Sequence, residues 1–205
     1  MTRVILVRHG KTNWNGRGRY QGQTDVPLSE EGLMQAELLA ENFNYGHPTA
    51  IYSSDLARAK KTADKIADKF GLTVILEPAF REINFGEWEG LSYEEIGRRW
   101  PEEYGKFFRA TDEVKIPGGE TVGELQARAV AALNRLVLRH DGEEFAIVAH
   151  GGVLRAIIGY ALHIPLKYFW SLRQYNTAVS IITFADDQWN AELINSTAHL
   201  GKNLS

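Results

Sequence analysis

The chain contains no cysteine. That excludes disulfides, thiolate metal sites and a cysteine nucleophile, including the cysteine route to phosphoryl chemistry, and it fits a reducing compartment. It also has no long apolar run. The most apolar helical stretch, 153–162, carries Arg155 and is far too short to span a bilayer. Positive charge is not in excess: 23 Lys and Arg stand against 26 Asp and Glu, a net charge of −3. No global attraction to nucleic acid or to an anionic membrane is therefore expected, and affinity for phosphate has to come from a local cluster of arginines. The N-terminus shows no basic segment followed by an apolar one, so no signal peptide is read and a cytoplasmic protein is expected. No repeat, linker or low-complexity run divides the 205 residues, which predicts one domain over 1–205.

The most informative stretch is Val4–Thr12. Four apolar residues, Val4 to Val7, make a short buried strand that stops on Arg8, His9 and Gly10. Ligands bind at the carboxyl ends of strands in open α/β sheets. Gly10 takes away the side chain that would crowd a ligand there. Arg8 offers a fixed cation with a donor fork and His9 an imidazole beside it. That pairing suits phosphoryl transfer, with Arg holding phosphate oxygens while His attacks phosphorus.

Further along, the polar loop 13–28 brings Asn15, Arg19, Gln21 and Thr24 toward the pocket opened by His9; loops this long in a compact domain are usually functional. Its glycines are spaced G-x-G-x-x-x-G with no helix opening on them, so they are not a dinucleotide fingerprint. Ser29 caps a helix that ends in the turn Tyr45–Pro48. A strand at 50–53 leads into a helix to Phe70 with Arg58 in its first turn, where a phosphate held by both the helix end and Arg58 would explain a cation. After a third strand, 74–76, the segment 80–90 alternates carboxylates with apolar side chains. A carboxyl packed against such groups has a raised pKa and can serve as a general acid, and Glu82, Glu87 and Glu89 are all candidates. Two short helices, 92–99 and 101–108, belong to an inserted lobe of about 91–117, read as a lid with an aromatic face of Trp100, Tyr104, Phe107 and Phe108. Thr121 and Glu124 form a capping box for a long helix. Phe145–Ala149 is a strongly apolar strand that ends in His150, and a helix follows at once. His140 and His163 read as surface residues. The strands 178–184 and 192–194 close the chain around a turn at Asp186-Asp187. These strands, with Phe169 and Trp170, either face a partner subunit, as in a homodimer, or finish the core.

Alternating strands and helices predict an α/β fold: three α/β/α layers around a mostly parallel sheet. Strand ends then share one edge, and His9, His150, Arg8 and Arg58 arrive there together. Four donors of this kind suit a tetrahedral dianion. The histidine spacing matches no zinc signature and no cluster of Asp suggests two metals, so metal-independent chemistry is expected.

The run Leu6-Val7-Arg8-His9-Gly10-Lys11-Thr12, with Asn15 and Gln21-Gly22, resembles the histidine phosphatase superfamily, also called phosphoglycerate mutase-like. Ser53–Ala59 and Ala149-His150-Gly151-Gly152 match its other two signatures, and the closing Asn176-Thr177-Ala178 and Ala198-His199-Leu200 extend the resemblance over nearly the whole chain. The resemblance implies a phosphohistidine on His9, with the second ring nitrogen held by a backbone carbonyl. It implies that Arg8, Arg58 and His150 bind the phosphoryl oxygens, joined by Asn15, and that Gln21, Gly22, Thr24 and Gly151 belong to the substrate pocket. Glu82 takes the family's acid position, protonating the leaving alkoxide and then activating water. No step calls for a metal or another cofactor. The pattern after Glu82 looks like the small bacterial phosphatase branch, which holds α-ribazole phosphatases, broad-specificity phosphatases and metal-independent phosphoserine phosphatases. The implied substrate is a small phosphomonoester. A small acid would want an extra donor such as His199 or Arg19, a nucleoside-like group stacking on Trp88, Trp100 or Phe107. The alternatives are a cofactor-dependent phosphoglycerate mutase, which would need a bisphosphate primer, and a silent binding module, which would usually lack one of the five core residues present here.

Overall fold

The computed structural model describes residues 1–108 and 114–203. Six strands form one sheet in the order β3-β2-β4-β1-β5-β6: β1 (Thr2–Arg8), β2 (Ala50–Ser53), β3 (Val74–Leu76), β4 (Glu144–Ala149), β5 (Val179–Ala185) and β6 (Gln188–Ser196). The first four run parallel. β5 and β6 close the sheet antiparallel, through a turn in which Asp186 and Asp187 both have φ near the left-handed region, 50° and 58°.

Strand alternation divides the core between the two faces. Ile5 and Val7 of β1 point to the face covered by α1 (Glu30–Glu41) and α2 (Ala57–Phe70), where Leu39, Ala63 and Ile66 meet them. Val4 and Leu6 point to the other face, under α5 (Val122–Arg139) and α6 (Gly151–Ala161), against Leu125, Leu133 and Ile157. The chain leaves β1 for α1 and β2 on one side, and leaves β4 for α6 and β5 on the other. The adjacent strands β1 and β4 thus feed helices on opposite faces, and a crevice opens between their carboxyl ends.

Several local expectations change. α1 ends at Glu41, capped by Asn42, before the Tyr45–Pro48 turn. His140 is not on the surface: it is 8% exposed, with Nε2 2.9 Å from the Tyr52 hydroxyl and Nδ1 2.8 Å from Glu143. It ends α5 directly above the sheet, so the ring has nowhere to go but inward; His163 is exposed. The last strand is longer than its apolar core suggested, because its outward residues are polar. The inserted segment carries α3 (Tyr93–Arg99) and α4 (Pro101–Phe107). It joins the main core: Ile96, Phe107 and Ile116 are buried in the same cluster as α5 and α6. Residues 109–113 of that segment lie outside the described residues. Phe169 is buried in the core, and Trp170 packs against Phe107 at its edge.

Candidate active site

Register brings the site together. Arg8 pairs with Ala149 across β1 and β4, so the next residues, His9 and His150, leave the sheet side by side with ring centroids 5.1 Å apart. Ser53 pairs one step behind, with Val148, which sets Ser54 beside His150 and Arg58 one turn into α2. His9 and Arg58 line a cleft of about 620 Å³ together with Arg8, Asn15, Gln21, Gly22, Glu82, Gly151 and Arg155, among others, with His150 and Ser54 behind them.

His9 is 2% exposed. Its Nδ1 lies 2.7 Å from the Gly10 carbonyl, which requires the proton on that nitrogen and leaves Nε2 a lone pair. Burial, then the Arg58 and Arg8 cations, push its pKa well below the ordinary histidine value, so the ring is neutral at pH 7. The backbone around it is tied on both sides: His9 N–H donates to Ala149 O, Asn176 Nδ2 donates to His9 O, and Gly10 N–H donates to Thr62 Oγ1.

Arg8 Nη1 donates to the Gln174 carbonyl at 2.6 Å, and the Arg58 fork donates to the carbonyls of Thr24 and Gly22 at 2.9 and 2.7 Å. In both arginines the Nε–H is enclosed and has no partner. Burial and the neighbouring Arg155 lower Arg8 to about 10, still cationic at neutral pH. His150 is wholly buried behind His9 and does not itself line the cleft. Ser54 Oγ accepts the Leu56 N–H at 3.3 Å, so its proton is free for His150 Nε2 at 2.9 Å. With that proton turned to Nε2, His150 Nδ1 is an N–H donor, and this atom too is enclosed and unpartnered. Orphaned buried donors are costly, and three of them around one imidazole suit a tetrahedral oxyanion.

Of the three candidate carboxylates only Glu82 lines the cleft. It accepts the Gly152 N–H at the start of α6 at 3.0 and 3.1 Å, and the Ile83 N–H at 2.9 Å. It is held by amides rather than packed among rings. Its carbonyl is braced by Arg128 Nη2 at 2.9 Å, itself paired with Glu120. Glu89 instead accepts the N–H groups of Gln23, Thr24 and Phe85, and Glu87 is exposed.

Other predicted residues divide. Asn15 and Gln21 line the cleft on either side of Thr12, whose Oγ1 is 3.1 Å from Asn15 Oδ1 and 2.9 Å from Gln21 Oε1. Thr24 does not line it: it is exposed, and its hydroxyl turns to Glu89 at 2.5 Å while its carbonyl holds Arg58. The amino end of α2 is taken by Asp25, which accepts the Ala57 N–H at 2.8 Å, so Arg58 reaches the cleft without the helix end. Gly10 makes room for backbone rather than ligand: a β-carbon there would lie 2.5 Å from the Gly32 carbonyl. His199 is buried away from the cleft, between Tyr45 OH and Thr177 Oγ1. Trp88 and Phe107 are wholly buried and offer no stacking face; Tyr93, Tyr104, Phe108 and Trp170 form that wall. Arg19 stands at the rim, paired with Glu95 at 3.6 Å and donating to the Gly90 carbonyl. Arg155, missed as a site residue, had one signal: a lone charge in an apolar helix, four residues past Gly151. Among the described residues no group of His, Asp or Glu is gathered for a metal ion, and no helix is long and apolar enough to cross a membrane.

The profile of the family described as the histidine phosphatase superfamily (branch 1) matches residues 4–197. The metal-independent phosphoserine phosphatase of Arabidopsis thaliana is 38% identical over 204 residues, 98% of this chain and 84% of that one. Among solved structures, Bacillus stearothermophilus YhfR superposes with a TM-score of 0.92 at 32% identity, covering 98% of this chain and 100% of that one. A phosphoserine phosphatase mutant from Entamoeba histolytica in complex with phosphoserine superposes at 0.89 with 31% identity, covering 98% and 100%.

Proposed function

The chain belongs to the histidine phosphatase superfamily, and we propose that it hydrolyses small phosphomonoesters through a phosphohistidine on His9, without a metal. The observation that carries this reading is the ring of enclosed, unpartnered donors, Arg8 Nε, Arg58 Nε and His150 Nδ1, around a neutral imidazole.

In the first half-reaction His9 Nε2 attacks phosphorus and the P–O ester bond breaks. Arg8, Arg58 and His150 hold the oxygens as charge shifts in the in-line transition state. Asn15 is a further phosphate ligand, and Gln21, Gly22 and Gly151 line the pocket around it. Glu82 gives its proton to the leaving alkoxide. In the second half, water attacks the phosphohistidine, Glu82 takes the proton from that water, and the P–N bond breaks to return the lone pair to His9. Phosphoserine is the first substrate to test, supported by the phosphoserine phosphatases among the relatives.

The test is rapid quenching into alkali after mixing with radiolabelled phosphoserine in EDTA. Acid-labile label on the wild type, none on His9→Ala, and phosphate release unaffected by EDTA are the expected results. Phosphoryl transfer to a second hydroxyl in place of phosphate release, dependent on a bisphosphate primer, would make the chain a mutase instead. No label from phosphoserine or from p-nitrophenyl phosphate would make it a binding module, and inhibition by EDTA reversed by added metal would overturn the scheme.

A further inference from the structure

Arg155 extends from α6 one turn past Gly151 into the cleft. It is held there from below: its Nε donates to the Leu172 carbonyl at 2.7 Å, and its guanidinium lies over the Trp170 ring, 5.1 Å from the centroid. A β-carbon on Gly151 would lie 3.0 Å from Arg155 Nη1 and 3.6 Å from Arg8 Nε. The two guanidinium groups thus flank one glycine. Burial first, and then the Arg155 cation, lower the pKa of Arg8. No carboxylate forms an ion pair with Arg155 among the described residues, and the nearest, Glu82, is occupied by the Gly152 amide.

A phosphate alone does not explain this third cation. Arg19 at the rim is paired with Glu95, and Arg8, Arg58 and Arg155 bring three further positive charges to the cleft. A phosphate dianion balances two of them, and Arg155 has no ion-paired carboxylate among the described residues. One is left over, in a partly buried position where an unpaired charge is costly. A carboxylate on the substrate would balance the third, and an arginine with free Nη donors is the side chain suited to it.

We propose that Arg155 binds a substrate carboxylate, so that the physiological substrates are small phosphomonoesters bearing a carboxylate a few bonds from the ester oxygen, of the phosphoserine or phosphoglycerate kind. The proposal rests on the phosphatase reading above and narrows its substrate class. Sugar and nucleoside phosphates leave Arg155 unpaired.

The experiment compares phosphoserine with phosphoethanolamine, which has the same skeleton without the carboxylate, in wild type, Arg155→Lys and Arg155→Met. In the wild type, kcat/KM should favour phosphoserine by about 10–100-fold, the range of a charge-assisted pair. Arg155→Met should bring that ratio close to one, mainly through KM for phosphoserine, and Arg155→Lys should restore part of it. A wild-type ratio near one overturns the proposal even if neither variant folds. So does an equal loss on both substrates in Arg155→Met, which would place Arg155 on the phosphate or in the scaffold. Labelling of wild-type His9 by p-nitrophenyl phosphate separates the two layers: label with no preference for phosphoserine sinks only the carboxylate site, and no label sinks the phosphatase reading beneath it.

Discussion

His9 and Glu82 differ in how readable they were. His9, the proposed nucleophile, ends an apolar strand beside Arg8, a pattern that by itself fits a strand end as well as chemistry; His150 and Arg58 at two further strand-to-helix junctions tip the balance. The proposed acid is less readable: Glu82, Glu87 and Glu89 share one composition, and only the fold aims the first at the cleft and spends Glu89 on the loop amides at Gln23 and Thr24. Family position selected Glu82 where local chemistry left three. Glu82→Gln keeps an oxygen for the Gly152 and Ile83 N–H groups, so the fold should persist while proton donation is lost. We expect kcat on phosphoserine to fall by about 10²–10⁴-fold, and by less than tenfold on p-nitrophenyl phosphate, whose leaving group needs no proton. Equal losses on the two would remove the acid role. His199 and Thr24 were misread for one reason, that a polar side chain near a signature can be spent on holding backbone. A sequence does not show which partner claims it.

The strands and helices were mostly readable, because apolar runs and caps are local. Contacts between elements were not. Gly10 is the clearest case: it is small because α1 presses on the loop after β1. In α1, a β-carbon on Gly32 would lie 1.9 Å from the Lys11 carbonyl oxygen, a backbone atom with no freedom to move alone. Gly32→Ala should destabilise the protein by about 1–3 kcal/mol, as overpacking does, read from the urea midpoint. Because Lys11 is two residues from His9, kcat should fall as well. A variant as stable and active as wild type would show that α1 does not seat the nucleophile loop. The inserted helices α3 and α4 were placed correctly but given too independent a role, since aromatic residues in a short lobe look the same whether they cover a site or enter the main core.

The order of the strands was the least readable feature. Nothing local says that β1 and β4, separated by 135 residues, lie side by side, and the resemblance carried that expectation. The consequence reaches the stability of the whole protein. Burial holds His9 and His150 well below their ordinary pKa and lowers His199 to about 4. Unfolded, each binds a proton near pH 6.5. Between there and their folded values the unfolded state binds more protons, so stability is lost as pH falls through that window, by up to about 1.4 kcal/mol per pH unit for each histidine. Urea midpoints should drop from pH 7 to pH 5, before most carboxylates titrate. His199→Asn, which keeps a hydrogen-bonding atom where Nδ1 meets Tyr45, should flatten that slope. A slope unchanged in this variant would assign the acid sensitivity elsewhere.

The unpartnered donors at the floor of the cleft have one more effect. Donors of this kind take a tetrahedral oxyanion whatever is attached to it, so inorganic phosphate, the product of the proposed reaction, is expected to compete with the ester. Added phosphate should raise KM for phosphoserine and leave kcat unchanged, tying turnover to the phosphate of the surroundings.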